Sequence, residues 1–227
     1  GIQTGQEKII TIEDPVEYEL PGVLQIPVNE KKGLTFARGL RSILRHDPDR
    51  ILVGEIRDGE TADIAVQSAL TGHLVFTTVH ANSVSDIVGR FRHFGIDMFG
   101  FMSALNGIVV QRLMRRLCAH CASMRSATAE EQTWLQSAGV EGTGQIADAR
   151  GCTECHGTGY KGRFVVAEVH EIDDAFRDLA TEGAPVSALK GHTMARGVKP
   201  LVTRAAQQVV AGTTTLEEVR RVVGRPQ

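Results

Sequence analysis

Arg45-His-Asp-Pro-Asp-Arg-Ile-Leu-Val-Gly-Glu-Ile-Arg-Asp58 is the stretch on which the fold turns. Ile51, Leu52 and Val53 are consecutive apolar residues closed by Gly54-Glu55, the pattern of a short strand buried in a parallel sheet. Glu55 then falls where that strand leaves the sheet, the edge at which open α/β sheets bind ligands. A carboxylate there can hold a magnesium ion or orient a water, and Arg45 and Arg57 can neutralise phosphate. An ordinary strand followed by a solvated charged turn accounts for the same residues, because Glu and Arg are mostly surface residues. The stretch alone does not choose.

Upstream, Lys8-Ile-Ile-Thr-Ile-Glu-Asp-Pro15 predicts a second buried strand ending in an acidic turn. Asp-Pro starts turns on its own account, but Glu13 and Asp14 also bring carboxylates to the edge where Glu55 lies. Residues 17–33, with Pro21-Gly22, Pro27 and Gly33, suit a hairpin or an ordered loop. Leu34 to Leu44 has helical spacing with Thr35 as its cap, and Arg38, Arg41 and Arg45 run along one side as a solvated face or an anion-facing row. Downstream, Asp58 to Leu70 is helical in period and Thr71-Gly72 stops it. His73-Leu-Val-Phe-Thr-Thr-Val-His80 predicts a third strand, placing His80 at its end. Ser83 to Phe94 and Asp97 to about Leu117 are expected as helices. The second finishes in Gln111-Arg-Leu-Met-Arg-Arg116, where positive charge suits a helix C-terminus.

The hydrophobic fraction of 42% with 23% charged residues is that of a globular protein, and 227 residues suffice for one large domain or two small ones. Twenty-five basic against 27 acidic side chains give a net charge of −2, which supplies no general attraction to nucleic acid or to an anionic membrane. Without an 18-residue apolar run or a basic-plus-apolar leader, the expected compartment is the cytoplasm. The chain opens on Gly1-Ile-Gln-Thr-Gly-Gln without an initiator Met, which suggests a piece of a longer protein.

The cysteines form two pairs, Cys118-Ala-His-Cys121 and Cys152-Thr-Glu-Cys155. Two C-x-x-C turns each aim two thiolates at one point, as tetrahedral zinc requires, although their separation is somewhat long for a zinc ribbon. Redox or disulfide dithiols are the rival, and a cytoplasmic setting argues against stable disulfides. His120 and His156 stand beside the pairs, but four thiolates already complete a tetrahedron. Cys155-His-Gly-Thr-Gly-Tyr-Lys-Gly-Arg163 is glycine-rich, yet it follows a cysteine pair rather than a strand and does not suit a phosphate loop. Between the pairs, Thr128 to Ala138 predicts a helix holding the only Trp. Phe164 to Val169 predicts a strand. Asp173 to Ala180, Pro185 to Gly197 and Pro200 to Ala211 follow as helices, and Thr213-Thr-Thr-Leu-Glu-Glu218 has the form of a capping box opening a last one through Val223.

Together these motifs resemble the secretion ATPase superfamily of type II secretion, type IV pilus and DNA-transfer motors. Ile10-Thr-Ile-Glu-Asp-Pro-Val-Glu-Tyr18 resembles its acidic box, Ile51-Leu-Val-Gly-Glu-Ile-Arg57 its Walker B strand, and Leu70-Thr-Gly-His-Leu-Val-Phe-Thr-Thr-Val-His-Ala-Asn82 its histidine box. The paired cysteines and helical tail are similar to the type II secretion (general secretion pathway protein E-like) and pilus-assembly branches. The resemblance implies an α/β fold: a RecA-like parallel sheet, a truncated P-loop NTPase core, with a zinc-binding insert and a C-terminal helical subdomain. Its expected domains are 1–117 for the ATPase core, 118–163 for the tetracysteine subdomain and 164–227 for the helices.

It further implies that Glu55 serves magnesium and the attacking water, that Glu13 supports the same region and that His80 senses the terminal phosphate. Arg45 and Arg57, with Asp14 beside them, would face phosphate, and Cys118, Cys121, Cys152 and Cys155 would hold structural Zn2+. The expected cofactors are ATP and Mg2+. The expected assembly is a homohexamer on the inner-membrane secretion platform, peripheral to the membrane through its partners and without nucleic acid. One departure stands out: no G-x-x-x-x-G-K-[ST] occurs in the chain. The family's phosphate loop would precede Gly1 together with a central strand, so this chain is expected to bind ATP weakly or not at all. The alternatives are a type IV pilus assembly ATPase, or a zinc-containing interaction module without catalysis.

Overall fold

The computed structural model describes residues 7–81, 83–141 and 144–224. In chain order the elements are β1 (Ile9–Glu13), β2 (Leu24–Pro27), α1 (Phe36–Ile43), β3 (Arg50–Val53), α2 (Gly59–Leu70), β4 (Leu74–Thr77), α3 (Val84–His93) and α4 (Met98–Ala104). Then come β5 (Gly107–Leu117), β6 (Ser123–Ser126), α5 (Ala129–Ser137), β7 (Gln145–Asp148), β8 (Tyr160–Glu171), α6 (Asp174–Thr181), α7 (Val186–Ala195), α8 (Leu201–Val210) and α9 (Leu216–Val223). They form two compact units, Gly1–Asn106 with Ile172–Lys190, and Gly107–Glu171 with Gly191–Gln227.

The first unit is built on a four-stranded, all-parallel sheet in the order β2-β1-β3-β4. Ile10 and Ile12 of β1 lie beside Ile51 and Val53 of β3, and all four are fully buried. Each such side chain contributes about 2 kcal/mol relative to exposure. The helices start where the sequence marks them, on side-chain caps: Thr35 accepts from Arg38 N, Asp58 from Thr61 N and Ser83 from Asp86 N. Because the strands are parallel, Glu13 at the end of β1, Gly54-Glu55 after β3 and Thr78 after β4 all lie at one edge.

In residues 17–33, where a hairpin or an ordered loop is expected, the chain forms a fourth parallel strand. β2 pairs with β1 from Ile10↔Leu24 to Glu13↔Pro27, and Pro27 is tolerated because β2 is an edge strand. Among the described residues β4 is the other edge, and Leu74 and Phe76 are 39% and 40% exposed rather than buried.

The expected helix over 97–117 is also corrected. Helix α4 stops at Ala104, and Gly107 begins β5, paired antiparallel with β8 from Gly107↔Glu171 to Leu117↔Tyr160. Ile108, Val110 and Met114 alternate into the core with period two, and the bonded partner strand decides between periods that the sequence leaves close. The basic run is therefore on a strand, not at a helix C-terminus.

In the second unit Met114, Leu135, Ile146, Ala205, Ala206, Val209, Leu216 and Val219 share one core. At its side Glu218 is fully buried yet ionic. It accepts from Arg115 N, Nε and Nη2 at 3.0, 2.9 and 2.6 Å and from Arg221 Nε and Nη2 at 2.9 and 2.7 Å. The capping box expected at α9 is thus half formed: Thr215 accepts from Glu218 N, while the Glu218 carboxylate is committed to the arginines.

Candidate functional site

Four of the six residues assigned to nucleotide chemistry meet at the edge where β1 and β3 end. Gly54 N–H donates to Ile12 O at 2.8 Å, and Thr78 Oγ1 donates to Gly54 O at 2.6 Å. Ile56 N–H donates to Thr78 O at 3.0 Å, so the backbone on either side of Glu55 is held by neighbouring strands. Gly54 lets them close in: a Cβ there would stand 3.2 Å from both Glu13 Cα and Ile12 O.

From this braced turn the Glu55 carboxylate is gripped by Arg57 Nη2, and its other oxygen faces His80 Nε2 at 3.5 Å. Arg57 Nη1 reaches Asp14 Oδ2 at 3.3 Å, so one guanidinium joins carboxylates from the ends of two strands. The hydrogen bond from Arg57, then its charge and that of His80, hold the Glu55 carboxyl below its ordinary range despite partial burial, so it is ionised at neutral pH. The His80 side chain is 87% exposed and open to a ligand, while its carbonyl accepts from Arg90 Nη1 at 3.2 Å.

Glu13 lies at the same edge with a different role: it accepts from Thr11 Oγ1, two residues back on the same face of β1, and from Gln25 Nε2 of β2 at 2.9 Å. Arg45 is exposed on the 3-10 turn Leu44–His46 after α1, and no ion pair joins it to a described carboxylate. Of its two companions in the expected arginine row, Arg38 donates to Gly33 O at 2.8 Å and Arg41 pairs with Glu60 at 2.6 Å. The sequence pattern does not single out Thr78, Gln25 or Arg90. Only Thr11 carried a signal, the period-two spacing that sets it beside Glu13. Asn82, the end of the histidine box, lies outside the described residues.

The four cysteines come together in the second unit. Their Sγ atoms all lie within 4.8 Å of one another, with Cys118–Cys152 at 3.9 Å, Cys121–Cys155 at 3.8 Å and Cys152–Cys155 at 3.7 Å. A tetrahedron of thiolates about 2.3 Å from zinc has edges of about 3.8 Å, so the donor set fits that ion in type, number and spacing. Burial raises the Cys121 thiol. At Cys155 burial acts the same way but is outweighed by the N–H groups of Cys152 and Gly159, which donate to its Sγ at 3.2 and 3.1 Å and bring it down to about 6.

The glycine-rich stretch serves these turns. Gly159, at φ 77°, passes so close that a Cβ would stand 2.6 Å from Ala149 Cβ, and a Cβ on Gly151 would stand 2.5 Å from Gly157 O. Cys118 N–H donates to Gly159 O at 2.9 Å, tying the two cysteine turns together.

The family model for the type II/IV secretion system protein matches residues 1–221. The chain belongs to that family. Among the family's named members, the type IV pilus assembly ATPase PilB of Thermus thermophilus is 43% identical over 220 residues, covering 96% of this chain and 25% of that protein. Type II secretion system protein E of Klebsiella pneumoniae is 44% identical over 223 residues, covering 97% of this chain and 44% of that protein. The chain therefore spans less than half the length of these relatives.

Among solved structures, the pilus retraction motor PilT with bound ADP superposes with a TM-score of 0.69 at 27% identity, covering 99% of this chain and 54% of that one. The Legionella pneumophila ATPase DotB, at 21% identity and a TM-score of 0.64, shares the fold. The family includes secretion and pilus ATPases, and the α/β fold with its parallel sheet is theirs. Among the described residues no helix is long and apolar enough to cross a membrane.

Proposed function

We propose that this chain carries the carboxylate half of the nucleotide site of a hexameric secretion ATPase, which drives type II secretion by pseudopilus assembly. The supporting observation is Glu55, ionised at the C-terminal edge of a parallel sheet, gripped by Arg57 and facing His80. Magnesium, when bound, supplies charge neutralisation at the phosphates and takes hard oxygen ligands such as Glu55. Glu55 orients the attacking water or holds that ion, and Glu13, fixed by Thr11 and Gln25, supports the same edge. His80 reaches the terminal phosphate. Arg57, aligned by Asp14, and Arg45 offset phosphate charge. Phosphoryl transfer needs little more of a protein than such positioning and charge.

With no G-x-x-x-x-G-K-[ST] present, we assign the phosphate-cradling loop to residues of the full-length protein outside this chain, and the open edge of β4 to the strand that carries it. By the same reading residues 1–117 perform the nucleotide chemistry, 118–163 form a zinc unit and 164–227 a helical support. Zinc is structural there, since four thiolates leave no open position. The whole protein works as a homohexamer in the cytoplasm against the inner-membrane secretion platform, with pilus assembly as the neighbouring possibility within the family.

The test is Glu55→Gln in the full-length protein. Turnover of ATP falls at least about 10²-fold while oligomer mass and nucleotide binding persist. Unchanged turnover refutes the role of Glu55, and a full-length wild-type protein that assembles but turns over no ATP favours a non-catalytic zinc-containing interaction module.

A further inference from the structure

Helices α4 and α6 of the first unit enclose a groove of about 320 Å3 whose chemistry the nucleotide site does not use. Its apolar side is Phe99, 69% exposed, above the buried Met102. Its other wall is one stripe of α6 continued onto its C-cap residue, where Asp174, Asp178 and Glu182 follow at four-residue spacing. Helix physics opposes this arrangement. Like charges four apart destabilise a helix by about 0.2–0.5 kcal/mol per pair, and Asp178 and the C-cap Glu182 stand at the negative end of the helix dipole, where the last turn of α6 has no basic residue of its own and Arg92 Nη2 reaches the Ala180 carbonyl at 3.4 Å rather than either carboxylate.

Within the stripe Arg177 pairs with Asp174 and with neither Asp178 nor Glu182. Its Nε and Nη2 donate to Met102 O and Leu105 O at 3.0 and 3.1 Å, pinning α6 to the end of α4, and only Nη1 turns outward, to Asp174 at 2.8 Å. The unit thus exposes a large aromatic ring beside carboxylates that its own fold does not favour. At the small end of pocket sizes, such a groove suits a few side chains of a protein partner better than a whole small ligand.

We propose that this groove docks a basic amphipathic helix of a partner protein, with Lys or Arg one turn apart meeting Asp178 and Glu182 and an aliphatic side chain covering Phe99. Helix-in-groove recognition combines an apolar anchor with charge complementarity in this way. The inference is independent of ATP chemistry.

The probe is a fluorescein-labelled amphipathic Leu/Lys helical peptide, titrated into the 227-residue chain, with its Leu/Glu counterpart as control. The Leu/Lys peptide binds and protects amides of residues 98–104 and 174–182 from hydrogen exchange. Asp178→Lys/Glu182→Lys weakens binding at least about tenfold, Phe99→Ser weakens it with the charge intact, and Glu17→Lys/Glu19→Lys, exposed elsewhere, leaves it unchanged. Far-ultraviolet circular dichroism checks that each variant is folded. Equal weakening by both charge reversals, indifference to Phe99→Ser, protection elsewhere, or self-association abolished by Asp178→Lys/Glu182→Lys each overturns the proposal.

Discussion

Removing the charge of Glu218 should unfold the second unit more readily than any surface change of the same size. The carboxylate has no exposed surface and accepts five hydrogen bonds from Arg115 and Arg221. Burial alone would raise its pKa, but the guanidinium bonds of Arg221 and then Arg115 outweigh it and bring the group down to about 2 from 4.5. At ~1.4 kcal/mol per pKa unit this amounts to about 3 kcal/mol. The two arginine side chains are 42% and 59% exposed, so solvent recovers part of it, and about 2–3 kcal/mol is the expected loss for Glu218→Gln.

The sign follows from a lowered folded-state pKa. The stabilisation is complete above about pH 4.5 and disappears as the pH falls toward 2. Trp134 sits in the same core and reports this unit alone, being the only Trp of the chain. Urea titrations followed by its fluorescence, for wild type and Glu218→Gln at pH 7 and again near pH 3, give the difference directly. The gap between the two proteins should shrink on acidification. A loss below ~1 kcal/mol at pH 7, or a gap that does not change with pH, refutes the reasoning.

Three further outcomes follow from the geometry. Metal analysis of reduced protein should find one zinc per chain, and chelation or Cys118→Ser should raise hydrogen exchange across residues 118–163 while leaving Ile51–Val53 protected. Gly159→Ala should destabilise the second unit by about 1–3 kcal/mol and weaken zinc retention, read by melting temperature and by competition with a chelator, because its Cβ would meet Ala149 at φ 77°. Gly54→Ala should spread the ends of β1 and β3, lowering stability by about 1 kcal/mol in chemical denaturation and loosening Glu55, since the new Cβ would crowd Glu13 Cα and Ile12 O at 3.2 Å.

What could be read from sequence was local. The runs ending at Glu13 and Val53 are apolar and closed by turn residues, and Thr35, Asp58 and Ser83 announce helices by accepting from N–H groups three residues on. The meeting of Glu55 with His80 was approachable because parallel strands deliver their C-termini to one edge. The pairing of β5 with β8 was not approachable in that way. Ile108 to Leu117 satisfies a helical and a strand period almost equally, and the choice belongs to a strand whose register begins at Glu171. Arg115 likewise carried no hint of Glu218, 103 residues away. Gln25 carries no signal in the sequence because residues 17–33 hold Gly and Pro enough for a loop, and only pairing to β1 turns Leu24–Pro27 into a strand. The cysteines are the contrary case, since their chemistry requires convergence whatever the intervening fold.

The discontinuity of the first unit has a consequence for how the chain is made. Helix α6 packs on α4 within that unit, yet it is encoded beyond the whole of β5 to β8. During synthesis, the carbonyls of Met102 and Leu105 at the end of α4 wait for Arg177, and the ribbon of β5 and β8 has emerged before the sheet unit is complete. An expression fragment cut at residue 117 would keep every nucleotide-facing residue named above and lack the helix that packs on α4. The smallest fragment expected to fold as the sheet unit therefore spans Gly1–Asn106 joined by a short linker to Ile172–Lys190.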